Sequence, residues 1–176
     1  QAGGGGGGGA SGEDEGAISQ RQREVLLATW NLQRAADTSD QREQERRADS
    51  ARMLAEVQNT LAEQARTLVE RAQARELTGV DANVRSFVES LAEAVKSMTP
   101  AAQSLGERNF EQAVAHEQRA LQYLLRAEST FRDIQVAMQN NAGGGGGGAQ
   151  AGRDVSEMTE LELDLSRNQY ETEPQM

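Results

Sequence analysis

The chain reads as all-α, an antiparallel helical bundle or coiled-coil-like helical hairpins set between Gly-rich linkers. Three observations predict this class. Apolar residues recur at spacings of three and four from Ile18 to Met138, the period of one helix face. Ala, Glu, Gln, Arg and Leu dominate the same stretch, and these types lose little side-chain freedom in a helix. Aromatic residues make up only 3% and Val and Ile are sparse, too few for a β-sandwich or a doubly wound sheet.

The elements follow in order. Residues 1–17 contain the Gly3–Gly9 tract and read as a flexible linker, because such a run has no side chains to bury and the most backbone entropy to lose. A helical core spans 18–141. Its first helix is expected to start at Ser19, where Ser19 and Gln22 match a capping box and Ile18 stands ready to staple onto the helix. Val25, Leu26, Thr29, Leu32 and Ala36 form its stripe. Asp37-Thr38-Ser39-Asp40 breaks the pattern, and Asp40 with Glu43 caps a second helix. That helix opens with charged residues and Gln from Gln41 to Arg47. It then carries Leu54, Val57, Leu61, Leu68 and Ala72, close to a seven-residue repeat. Gly79 ends or kinks it.

A third helix is expected from about Asp81, with Val84, Phe87, Val88, Leu91, Val95 and Met98 on one side. Thr99-Pro100 reads as a stop followed by a start, since Pro suits a first helical turn and Thr an N-cap. A short helix then reaches Leu105, Gly106 to Asn109 turn the chain, and a last long helix runs from Phe110 to Asn140-Asn141. The Ala101–Ala127 stretch has the outline of one tetratricopeptide-like hairpin, but no 34-residue repeat recurs. Residues 142–152, with Gly143–Gly148, form a second linker. The acidic tail 153–176 carries a short amphipathic pattern on Met158, Leu161 and Leu165 behind an Asp154–Glu157 cap.

Composition removes several function classes. The net charge of −10 opposes a phosphate backbone, and no basic patch is free of interleaved Glu and Asp, so no nucleic-acid partner is expected. Cys is absent, which removes thiol catalysis, zinc–cysteine sites and disulfides from this segment. No run of about 18 apolar residues occurs, so no membrane span is expected here. The chain opens at Gln1 without an initiator Met and reads as an internal piece of a longer protein.

Catalytic patterns fail one by one. His116, the only His, stands in His-Glu-Gln-Arg-Ala, where a zinc protease helix needs a second His at the position of Ala120. One His also falls short of a di-iron carboxylate bundle. No acidic side chain stands out inside an apolar stripe, and Glu–Arg spacings such as Glu63–Arg66 read as solvated ion pairs. No Gly-x-Ser-x-Gly elbow occurs, and neither Gly tract is followed by the Lys of a phosphate-binding loop. Trp30 reads as a helix-packing residue, with a partner hot spot as the rarer use of such a Trp. No catalytic, cofactor-binding or metal-ligating residue is nominated.

Two segments carry a resemblance. Ile18-Ser-Gln-Arg-Gln-Arg-Glu-Val-Leu-Leu-Ala-Thr-Trp-Asn-Leu-Gln-Arg34 and the stretch Arg153-Asp-Val-Ser-Glu-Met through Glu171-Thr172 resemble a family of large bacterial proteins known as a domain of unknown function. That resemblance implies a parent chain anchored in a membrane near its N-terminus, with a long helical, low-complexity C-terminal part. It brings no enzyme activity and no functional residues.

The expectation is therefore a non-enzymatic helical interaction or scaffold segment of a larger, envelope-associated bacterial protein. It would meet a protein partner, or a second copy, through helical faces. Leu54, Val57, Leu61, Leu68, Phe87, Leu91 and Val95 are the expected interface. The alternative is a ligand-sensing helical bundle, with Arg85, Arg119 or Arg126 supplying polar groups to a pocket. A hydrolase on a helical scaffold ranks below both.

Overall fold

The structure is a computed structural model that describes residues 10–35, 38–74 and 81–141, with side chains from residue 17 in the first of these. It contains four helices: α1 (Ala10–Arg34), α2 (Gln41–Ala74), α3 (Ala82–Gly106) and α4 (Phe110–Asn141). Among the described residues there is no strand. Each helix packs on its neighbours in the chain, and α1 closes the ring against α4.

Cross-helix bonds fix the directions. Gln22 of α1 meets Gln58 of α2, and Leu32 of α1 meets Arg47 of α2, so residue numbers rise on one helix as they fall on the other. Ser19 and Thr29 meet Glu128 and Glu117 of α4 in the same antiparallel sense. Phe87 of α3 faces Phe131 of α4. The result is an up-down-up-down four-helix bundle of the kind short turns impose.

The core is built on a strict seven-residue register in every helix. On α2 the two core series are Ala51, Gln58, Ala65, Ala72 and Leu54, Leu61, Leu68; on α3 they are Val84, Leu91, Met98, Leu105 and Phe87, Ala94, Ala101. On α4 they are Ala113, Ala120, Ala127, Ile134 and Glu117, Leu124, Phe131, Met138. On α1 they are Ile18, Val25, Leu32 and Gln22, Thr29. Alternating spacings of three and four keep each seam facing its neighbours. Ala recurs along the α4 seam, and Phe87 and Phe131 pack with ring centroids 5.6 Å apart and planes tilted by 51°.

The second and third helices start where local chemistry places them. Asp40 Oδ1 accepts from the Arg42 amide at 3.0 Å, and Asp81 Oδ1 accepts from the Asn83 amide at 2.6 Å. Both are side-chain N-caps. Three other expectations are corrected. α1 is helical from Ala10, so Ser19 is not a cap; it lies inside the helix with its hydroxyl donating to Glu128 Oε2 at 3.0 Å. Residues 10–17 are thus helix rather than linker. Thr99-Pro100 does not divide α3, which continues to Gly106. Pro removes one backbone donor, but Met98, Ala101, Ala102 and Leu105 around it are all buried, and their packing outweighs that loss.

The α3–α4 turn is also made differently from the expectation. Gly106 stays helical, and Arg108 takes the left-handed conformation with φ 59°. The Asn109 amide bonds the Ser104 carbonyl at 2.8 Å and the Arg108 amide bonds the Leu105 carbonyl at 3.0 Å, the paired closure of a Schellman motif. Ala36, Asp37, Gly79, the linker 142–152 and the tail 153–176 lie outside the described residues.

Candidate functional site

The seven expected interface residues are placed mostly inside. Leu61, Leu68, Phe87 and Leu91 belong to the buried core, and Leu54 and Val95 are half-buried against it. Val57 is the exception, 36% exposed on the outer edge of α2. The face nominated for a partner is therefore covered within the chain, α2 and α3 packing on each other and on α1 and α4 respectively.

The unusual chemistry lies beneath α1. Gln22, Thr29, Gln58 and Glu117 are fully buried at seam positions where apolar residues are the rule. Gln22 and Gln58 form a reciprocal amide pair: Gln22 Nε2 donates to Gln58 Oε1 at 2.8 Å and Gln58 Nε2 donates to Gln22 Oε1 at 2.7 Å. That arrangement satisfies one donor and the acceptor of each amide and pins α1 to α2 in one register.

Glu117 is the second contact. Its Oε1 lies 2.8 Å from Thr29 Oγ1, while its Oε2 is buried without a hydrogen-bond partner. Thr29 Oγ1 also lies 2.9 Å from the Val25 carbonyl. A hydroxyl has one proton, and a carbonyl oxygen only accepts. Thr29 Oγ1 donates to Glu117 Oε1 and shares that proton with the Val25 carbonyl, so the carboxyl receives a divided hydrogen bond at one oxygen and none at the other. Burial accordingly pushes the Glu117 carboxyl up from 4.5 to about 7, opposed only by the Thr29 hydroxyl, with no cation among the causes. The expectation that no acidic side chain sits in an apolar stripe is corrected here. Glu117 sits in one, between Ala113 and Ala120.

Outside this seam, Leu27 and Trp30 project from the outer face of α1, 52% and 47% exposed. Trp30 is thus not a packing residue. Leu27 and Leu125 of α4 line one groove, rimmed by Arg23, Glu24, Glu128 and Arg132. A second groove between α1 and α2 is lined by Val25, Ala28, Leu54 and Val57 with Arg21 and Glu24.

The remaining candidates stay scattered. His116 is half-buried on α4, and among the described residues no group of three His, Cys, Asp or Glu side chains could hold a metal ion. Arg85, Arg119 and Arg126 are all exposed, and Arg126 stacks over Tyr123 of its own helix at 5.9 Å. Glu63 and Arg66 form the expected solvated pair. Among the described residues, no helix is long and apolar enough to cross a membrane. The chain matches no family model, no curated protein and no solved structure.

Sequence reasoning overlooked Gln22, Gln58 and Glu117 because each residue type belongs on a solvated face. The signal that finds them is the register: Gln58 falls seven residues from Ala51 and Ala65, and Glu117 seven from Leu124.

Proposed function

We propose that this chain is a non-enzymatic helical interaction module, a scaffold segment of a larger, envelope-associated bacterial protein. It receives an amphipathic helix from a protein partner in the α1–α4 groove. The observation that carries this reading is the mismatch between a core closed within one chain and the apolar Leu27, Trp30 and Leu125 left outside it. Aliphatic anchors inside a rim of mixed charge, with the exposed Trp30 three residues beyond Leu27 on α1, suit the apolar stripe of a helix with flanking Glu and Arg or Lys. Arg23 and Arg132 answer the acidic flank, and Glu24 and Glu128 answer the basic one. The ligand-sensing alternative needs polar groups converging on a pocket, and Arg85, Arg119 and Arg126 point to no shared one.

Selection from a displayed library of amphipathic helices tests this reading on the full chain. Binders are expected to blue-shift the emission of Trp30, the single Trp, and to lose affinity in Leu27→Glu and Leu125→Glu. Binders that ignore both substitutions would overturn it.

A further inference from the structure

We infer that Glu117 is a proton-operated latch for α1: with its carboxyl protonated the helix is locked onto α2 and α4, and with the proton lost α1 loosens while α2, α3 and α4 stay packed.

Only one oxygen of the buried carboxyl is engaged. Thr29 Oγ1 donates to Glu117 Oε1 at 2.8 Å and lies 2.9 Å from the Val25 carbonyl, which shares the same proton. In the ionised state the carboxylate and the Val25 carbonyl compete for the one Thr29 proton. Glu117 Oε2 is then a buried charged oxygen with no partner. Among the described residues no cation acts on it. α1 presents the uncharged Thr29. On α2, Arg47 and Arg52 flank its level; Arg47 Nη2 donates to the Leu32 carbonyl at 3.0 Å, and the exposed Arg52 pairs with Asp49. On α3, the register that sets Phe87 against Phe131 puts Ala101 and Leu105 beside it. On α4 itself His116 is half-buried and Arg119 is exposed. Proton loss therefore favours a state in which water reaches the carboxylate.

α1 is the element that gives way. Its seam alternates Ile18, Val25 and Leu32 with Gln22 and Thr29, so two of its five core positions are polar. The other three helices retain Leu68, Val84, Phe87, Leu91, Phe131 and Ile134 against one another without it. The segment that buries least apolar surface opens first. The burial-raised pKa of about 7 puts the release near neutral pH.

The inference needs no partner, so its test and that of the docking reading fail independently. Hydrogen exchange of the full chain, corrected for intrinsic rates, is measured from pH 5.5 to 8.5. Protection of Ile18–Arg34 is expected to fall about tenfold or more across neutrality, with Ala82–Asn140 unchanged. Glu117→Gln, neutral at every pH, is expected to abolish the fall. In the unmodified chain, the carbon-13 shift of the Glu117 carboxyl is expected to titrate with the same midpoint as α1 protection. Constant α1 protection, a fall that persists in Glu117→Gln, or a carboxyl midpoint far from the α1 transition would each overturn the latch.

Discussion

Glu117 is a buried acid out of balance with its surroundings, and the sign of its effect can be worked out. Its folded pKa of about 7 exceeds the ordinary value of 4.5, so the folded state binds the proton more tightly than the unfolded chain. The stability this contributes is complete below about pH 4.5 and is lost as pH rises to about 7. At about 1.4 kcal/mol per unit the loss is roughly 3 kcal/mol. Glu117→Leu is expected to remove that dependence and to stabilise the chain at pH 8 by about 1–3 kcal/mol, read from urea denaturation at pH 5 and pH 8. Greater stability of the parent at pH 8 than at pH 5 would contradict this account. Arg108 is the second residue out of balance, a side chain held at φ 59° where glycine is the natural choice. Arg108→Gly is expected to stabilise by about 1 kcal/mol, visible as a raised thermal midpoint. Trp30 and Leu27, by contrast, are exposed, and their truncation is expected to leave the midpoint nearly unchanged.

At the scale of the helices, legibility followed the range of the interactions. The cap at Asp40 and the start of α3 near Asp81 were readable because a carboxylate and an amide two residues away decide such starts locally. The apolar stripes of α2, α3 and α4 were readable because burial repeats every turn. Ser19 misled because the same hydroxyl that suits a cap also serves a contact with Glu128, which sequence spacing does not reveal. Pro100 misled because the packing of Met98 and Leu105 across the bundle overrides a local preference. Pro100→Ala is expected to restore a donor for the Lys96 carbonyl and to stabilise by about 1–3 kcal/mol in denaturant titration. A loss of stability there would mean that Pro100 shapes α3 in a way its neighbours require. The polar seam was the least legible feature. Gln22, Gln58 and Glu117 become visible only when one register is carried through all four helices at once.

At the scale of the whole molecule, the bundle divides into a tight part and a conditional part. α3 and α4 share the aromatic pair and, with α2, most of the large aliphatic residues, whereas α1 is fastened through an amide pair, Thr29–Glu117 and Ser19–Glu128. Exposed ion pairs such as Asp49–Arg52 and Glu63–Arg66 add little, so added salt is expected to shift the thermal midpoint only slightly. The expected interface on α2 and α3 shows why fold was easier to read than function. An amphipathic stripe announces that it will be covered, but Leu61 and Phe87 do not announce by what. Here the chain covers them itself and leaves other apolar residues, Leu27 and Trp30 of α1 among them, exposed.

Closure of the core within one chain fixes the mass of the particle in solution. Light scattering of the full chain over a wide dilution series is expected to return the monomer mass of 19.0 kDa at every concentration. A dimer that dissociates on dilution, with Leu61 or Phe87 protected only at high concentration, would contradict it and place those seams between chains.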